Sequence, residues 1–183
     1  MNVLLPITTE RTLIRVVEPA DASRLLHYRV QNRDHLAPWE PLRDSSYYTL
    51  GHCAQTLVDS RDAVRFDRGY PFFVLDLAGN EIVACLTYAN VVRGAFQACH
   101  LGYSIAAHRQ GRGLMREALE ASLRWAFAEL GLHRVMANYM PRNERSAGLL
   151  QRLGFEQEGY AKRYLQIAGA WEDHVLTSRI RID

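Results

Sequence analysis

Apolar and β-branched side chains crowd residues 13–17, where Leu13, Ile14, Val16 and Val17 surround Arg15, and this predicts a short strand. Glu18, Pro19 and Asp21 break the run, with Asp21 placed to N-cap a helix extending to about Asn32. A second helical stretch covers 45–65. Apolar runs at 71–77 and 81–91, separated by the turn residues Ala78-Gly79-Asn80, predict two antiparallel strands, and 97–105 predicts another. Beyond 105 the character changes. A loop with two glycines (109–115) leads into helical periodicity over 114–130. Arg116, Glu117, Glu120 and Arg124 share a polar face there, Glu120 and Arg124 make an i,i+4 pair, and Gly131 stops the helix. A strand at 134–139 follows. Pro141 closes it, Asn143 caps a helix to Leu153, and Gly154 ends that helix. The last strands run from 155 onward and over 171–182. Antiparallel strands followed by a strand–loop–helix–strand crossover imply one parallel pair in a mixed, mostly antiparallel sheet. The class is α+β, or loosely α/β, and residues 1–183 are expected to form a single domain.

Composition narrows the setting. With 48% hydrophobic and 23% charged residues in a chain of 183, a sizeable core needs no metal or disulfide. Twenty-two basic against 20 acidic residues give a net charge of +2, too balanced for the basic stripe of a nucleic-acid binder. Cys53, Cys85 and Cys99 are odd in number, widely spaced and without a C-x-x-C, which fits a reducing cytoplasm. Cys85 and Cys99 sit in apolar runs as small hydrophobes. The segment 1–6 lacks the basic start and cleavage pattern of a signal peptide, and no apolar run nears the roughly 18 residues of a membrane span.

The loop Gln110-Gly111-Arg112-Gly113-Leu114-Met115 carries the first chemical signal. Two glycines between a strand and a helix let backbone N–H groups converge, and the helix adds its positive end, making an anion site suited to a pyrophosphate. Arg109 and Arg112 flank it. No Lys-Ser or Lys-Thr follows, so it is not a Walker A loop, and Arg116 stands where a Rossmann fingerprint has its third glycine. A glycine turn before an ordinary helix would read the same way without its surroundings.

Those surroundings resemble the GNAT superfamily of N-acetyltransferases. Gln110-x-x-Gly113-x-Met115 is similar to the family's Q/R-x-x-G-x-G/A cofactor loop, with Met115 in place of the usual Gly or Ala. Asn143-Glu144-Arg145-Ser146 and Leu149-Leu150-x-x-Leu153-Gly154-Phe155 look like signatures of the branch that acetylates ribosomal-protein N-termini. Residues 101–105, 133–141 and 158–161 are similar to its alanine-specific members, which also carry Met at the last loop position. The resemblance spans nearly the whole chain. It implies a single-domain GNAT fold with a splayed sheet, acetyl-CoA as cofactor, the backbone of Ser104, Ile105 and Ala106 along the pantetheine arm, and residues 109–115 (Arg109, Gln110, Gly111, Arg112, Gly113, Leu114 and Met115) around the pyrophosphate. It places Ser146 near the sulfur, and Asn143 near the pantetheine or the acetyl carbonyl. The implied partner is a protein N-terminus, an alanine-initiated small-subunit ribosomal protein, with no membrane and no direct nucleic-acid contact, the enzyme being a monomer or homodimer. A polyamine or aminoglycoside acetyltransferase, and a non-enzymatic acyl-CoA-binding ribosome assembly factor, are the alternatives.

Acetyl transfer to an amine needs a free lone pair, stabilisation of charge on a carbonyl oxygen and a proton for the departing thiolate. Freeing the lone pair at pH 7 costs about 1 kcal/mol for an α-amine (reference pKa about 7.7–8.0) but about 4–5 kcal/mol for lysine (about 10.4), so an N-terminal acceptor asks little of a base. His100 occupies a position where many GNAT relatives carry Glu, and its titration range suits proton acceptance; an ordinary strand histidine is the alternative. Glu40, in the loop Pro38-Trp39-Glu40-Pro41, is a second candidate base, with Trp39 beside it as a wall for the acceptor. Tyr139 is a candidate acceptor contact, and Arg142 and Arg145 are candidates for the 3′-phosphate of coenzyme A. Asn143 and Ser146 also fit ordinary capping roles.

Overall fold

The computed structural model describes residues 6–182; residues 1–5, most of the segment read for a signal peptide, and Asp183 lie outside it. Eight strands form one sheet: β1 (Ile7–Thr8), β2 (Thr12–Val16), β3 (Gly69–Asp76), β4 (Ile82–Val92), β5 (Ala98–Ile105), β6 (Arg134–Met136), β7 (Glu156–Ile167) and β8 (Ala170–Ile180), in the order β1-β2-β3-β4-β5-β6-β8-β7. Five α-helices flank it: α1 (Ala22–Gln31), α2 (Arg33–Leu36), α3 (Leu50–Arg65), α4 (Leu114–Ala128) and α5 (Glu144–Arg152). β5 and β6 run parallel and the other neighbouring pairs are antiparallel, as the crossover through α4 requires.

Strand alternation divides the core in two. On one face Cys99 and Leu101 of β5 pack with Ala118, Leu119 and Leu123 of α4 and Leu150 of α5. On the other, Phe73, Leu75 and Ile82 meet Leu25 and Tyr28 of α1 and Cys53 and Leu57 of α3. Tyr88 is fully buried and donates its hydroxyl to Ser122 Oγ at 2.8 Å. Because Ser122 itself bonds the carbonyl of Leu119 at 3.3 Å, Tyr88→Phe strands no partner, and denaturant unfolding should register a loss of only about 1 kcal/mol.

Several local expectations change. Residues 45–65 are not one helix: a 3-10 turn at Ser45–Tyr48 precedes α3, and Thr49 N-caps α3 by accepting from the N–H of His52 at 3.3 Å. Asp21 does sit at the N-cap of α1, but its carboxylate turns away to Arg15, Arg24 and the N–H of Glu18 instead of capping. Glu120 pairs with Arg116 at 2.8 Å, one turn back, rather than with Arg124. The strand read over 134–139 pairs with β5 only at Arg134–Met136, and Tyr139 forms an isolated bridge to Val175.

That short pairing opens the sheet. Ala98, Cys99 and His100 lie opposite Arg134, Val135 and Met136, and there the pairing stops, while β5 stays registered on β4 as far as Ile105 opposite Ala84. Two central strands therefore diverge into a V. The N–H of Ala106 donates to the carbonyl of Val83 (2.9 Å), so alternation directs the backbone groups of Ser104 and Gly102 toward β4 and those of Tyr103 and Ile105 into the gap.

Candidate active site

The glycine loop closes one end of the V. Gly111 and Gly113 both have positive φ (72° and 76°), a conformation that costs a side chain dearly, and Gly113 is the N-cap of α4. Among the described residues, the N–H groups of residues 111–115 have no hydrogen-bond acceptor. A Cβ at Gly111 would project into open space. A cradle of free, convergent donors at the positive end of a fifteen-residue helix fits a diphosphate. Leu114 and Met115 are buried beneath it, anchoring the helix rather than facing the cradle.

The loop is gripped from a distant point in the chain. Arg11, just before β2, donates through Nη1 to the carbonyl of Arg112 (2.7 Å) and through Nε to Glu117 (2.7 Å). Burial favours the protonated Glu117, but hydrogen bonds from Thr9 and Arg11 outweigh it and hold its carboxyl below the usual range. Arg109 is committed to Glu81 and does not face the cradle's centre, whereas Arg112 is exposed. Gln110 accepts from Arg145 of α5 and contacts His35 at 3.1 Å, tying the loop to both flanking elements.

At the crotch of the V, the Tyr103 and Ser146 hydroxyls lie 2.6 Å apart, linking β5 to α5 across the gap. Burial pushes the Tyr103 phenol up to about 12, so it stays protonated. Asn143 caps α5 through a hydrogen bond from the N–H of Ser146 (3.1 Å), which sets the serine's position. Tyr139 packs nearby, half-buried, with its backbone bonded to Val175. Ile105 faces the same side, and Ala106 is buried with both backbone groups engaged internally.

A cavity of 370 Å³ lies on the opposite face of β5, floored by Gly102, Ser104, Cys85 and Thr87 and walled by α1, α3 and the intervening loops. Tyr28 and Ser104 share a hydrogen bond at its base (2.9 Å). Burial, reinforced by the Glu40 carboxylate, pushes the Cys85 thiol up to about 12, so it is no nucleophile. Glu40 lines this cavity with Arg43 at 3.6 Å, and its carbonyl accepts from the N–H of Ala168 at the β7–β8 turn (2.9 Å). His100 is one same-face step beyond Gly102, and its buried Nδ1 has no partner among the described residues. Trp39 lies outside the lining, next to Arg142 (5.8 Å), whose charge goes to Glu172 at 2.6 Å rather than toward the glycine loop.

The glycine loop, the Ser146 helix start and β5 thus meet around one gap. Tyr103, Tyr28 and Arg11, which hold these elements together, were not singled out by the sequence. Tyr103 had a weak signal, lying within the strand similar to the family; the others gain their places only through contacts distant in sequence.

The acetyltransferase (GNAT) domain model matches residues 11–156. Ribosomal protein uS5-alanine N-acetyltransferase of Escherichia coli (strain K12) is 49% identical over 173 residues, 94% of this chain and 89% of that protein. The crystal structure of ribosomal-protein-S5-alanine acetyltransferase from Vibrio fischeri superposes with a TM-score of 0.93 at 41% identity, covering 98% of each chain. Mycobacterium smegmatis RimJ in complex with CoA-disulfide gives 0.87 at 32%, covering 97% of this chain and 90% of that one. A glycine loop of convergent N–H groups beside a splayed central strand pair, matched along nearly the whole chain, has one explanation: the chain belongs to the acetyltransferase (GNAT) family, enzymes that use acetyl-CoA.

Proposed function

We propose that this acetyltransferase modifies the N-terminal α-amine of an alanine-initiated small-subunit ribosomal protein. The observation that carries the reading is the 49% identity, over 94% of the chain, to an enzyme named for that acceptor. Bound acetyl-CoA supplies an acetyl group activated as a thioester. The N–H groups of residues 111–115 would hold its diphosphate, and the gap-facing backbone of Tyr103 and Ile105 would pair with its arm. A gap-facing N–H of β5, rather than the glycine loop taken by the diphosphate, would be the donor for negative charge developing on the carbonyl oxygen. The cavity over Gly102 and Ser104 orients the amine, and Glu40 in its wall, or His100 two residues along β5 from Gly102, accepts a proton directly or through water. Ser146, held by the Asn143 cap and Tyr103, keeps a proton at Oγ for the departing thiolate.

A thiol is already a good leaving group (reference pKa about 8.5), so the proton's contribution is modest. Ser146→Ala should lower kcat by about tenfold and leave acetyl-CoA affinity unchanged. A loss of affinity at constant kcat would remove the serine from this role. The acceptor itself is tested by following thiol release with acetyl-CoA and peptides beginning Ala, Ser or Met. Turnover greatest with Ala is expected. No turnover with any peptide, beside turnover of a polyamine or an aminoglycoside, would refute the reading.

A further inference from the structure

Arg29 of α1 lines the acceptor cavity and is 7% exposed. Its guanidinium lies 3.8 Å from the centre of the Tyr47 ring, and its Nη atoms donate to the Tyr47 carbonyl (3.0 Å), Cys53 Sγ (3.5 Å) and Thr56 Oγ1 (3.3 Å). Its Nε–H is sealed from solvent with no acceptor, and among the described residues it has no carboxylate partner. The half-buried Arg15 behaves differently: it is matched bidentately by Asp21 at 2.7 Å. A buried guanidinium left without a counter-charge is costly, and the cost persists unless something anionic arrives.

The surrounding wall has the same polarity. Arg43 lies 4.4 Å from the Tyr47 ring centre, so that ring carries two guanidiniums, and Arg33 lies 4.8 Å from that of Tyr48. Three arginines and one carboxylate, Glu40, are the charged groups of the lining, and Glu40 is shared with Arg43. The floor is β5 at Gly102 and Ser104, and 370 Å³ is far more than an alanine methyl requires.

We propose that this arginine–tyrosine wall is an acceptor-side carboxylate subsite, in which Arg29, seconded by Arg43, pairs with an acidic side chain within the first few residues of the acceptor peptide. The subsite rests on the peptide-acceptor reading above. An extended peptide advances about 3.3–3.6 Å per residue, so one entering along the floor passes the wall within a few residues of its amine. The preference is for a carboxylate because a guanidinium fork matches its two oxygens, whereas a neutral amide leaves the wall's excess charge in place.

Alanine-initiated peptides with a single Glu at position 2, 3, 4 or 5, each matched by its Gln counterpart, test this in two readouts. Calorimetry with coenzyme A present should show, at one position, Glu binding at least tenfold more tightly than Gln. The ratio should fall with added salt and collapse toward one in Arg29→Met. Because that variant also loses contacts to Tyr47 and Cys53, Arg43→Met serves as a second, with a partial collapse expected. Glu/Gln ratios within twofold at every position would overturn the subsite, as would absence of any peptide binding. A loss of coenzyme A affinity in Arg29→Met that is missing with 3′-dephospho-coenzyme A would assign the wall to the cofactor's phosphate and overturn it too. A Glu preference in binding without acetylation of any peptide would instead refute the acceptor reading and leave the subsite standing.

Discussion

Gly113→Val is expected to weaken acetyl-CoA binding by about a hundredfold while the protein stays folded. The glycine has φ 76°, where a β-branched residue is strongly disfavoured. Crowding is not the cause: a Cβ there would meet Arg11 Nη2 at an ordinary 3.5 Å. The loop must leave the left-handed region, and the N–H groups of residues 111–115 then cease to converge. Losing two charge-assisted hydrogen bonds at about 1.5 kcal/mol each corresponds to roughly that factor. Gly113→Asn, which tolerates the left-handed region, should fall between wild type and valine. Isothermal titration with coenzyme A and a thermal melt separate the outcomes. Unchanged affinity in the valine variant would remove the cradle from cofactor binding, and a collapsed melting transition would make the glycine structural.

Asp21→Asn is expected to cost about 3 kcal/mol. Its carboxylate, 2% exposed, accepts from both Nη atoms of Arg15 at 2.7 Å, from Arg24 at 3.0 Å and from the N–H of Glu18 at 3.0 Å. Breaking a buried pair leaves the cation uncompensated; Arg15 retains some solvent contact, which places the loss at the lower end of the usual range. In a chain of 183 residues this lowers Tm by about 6–12 °C. The pH dependence has a definite sign. Burial alone would raise the Asp21 carboxyl, but hydrogen bonds from Arg15 and Glu18 outweigh it and hold it below its ordinary 3.8. A depressed carboxyl stabilises the fold fully above the unfolded value and loses that contribution as pH falls through the folded value. Wild type and variant should therefore differ most near pH 7 and converge below pH 3.8. A gap that persists undiminished in acid would show that the pair is not the source.

The parts of this molecule legible in the sequence are those set by local chemistry. Glycines at 111, 113, 131 and 154 all take positive φ, marking the loop before α4 and two helix ends. The capping residue Asn143 fixes the start of α5 from three residues away. What could not be read depends on contacts across the chain. Ending the β5–β6 pairing after three residues is a tertiary outcome, since the stretch from 134 to 139 reads as a full strand. Arg11 grips a loop 101 residues away, and Arg29 meets Tyr47 and Thr56 only because α1 packs on α3. Charges on one helix face mislead for the same reason: Glu120 had Arg116 and Arg124 equally within reach, and periodicity does not choose between them.

A strand in the middle of an eight-stranded sheet is ordinarily among the most protected parts of a protein, yet half of β5 is bonded on one side alone. Its amides at Tyr103 and Ile105 should exchange with solvent deuterium on the timescale of local fluctuation, while those of Gly102 and Ser104, bonded to β4, wait for larger openings. The alternation is a built-in occupancy gauge. Filling the gap should slow the odd-numbered amides and leave the even-numbered ones as they were. An exposed strand edge is also a template for unwanted pairing, and here it lies inside the molecule, spanned by the Tyr103–Ser146 contact, where no second chain can reach it.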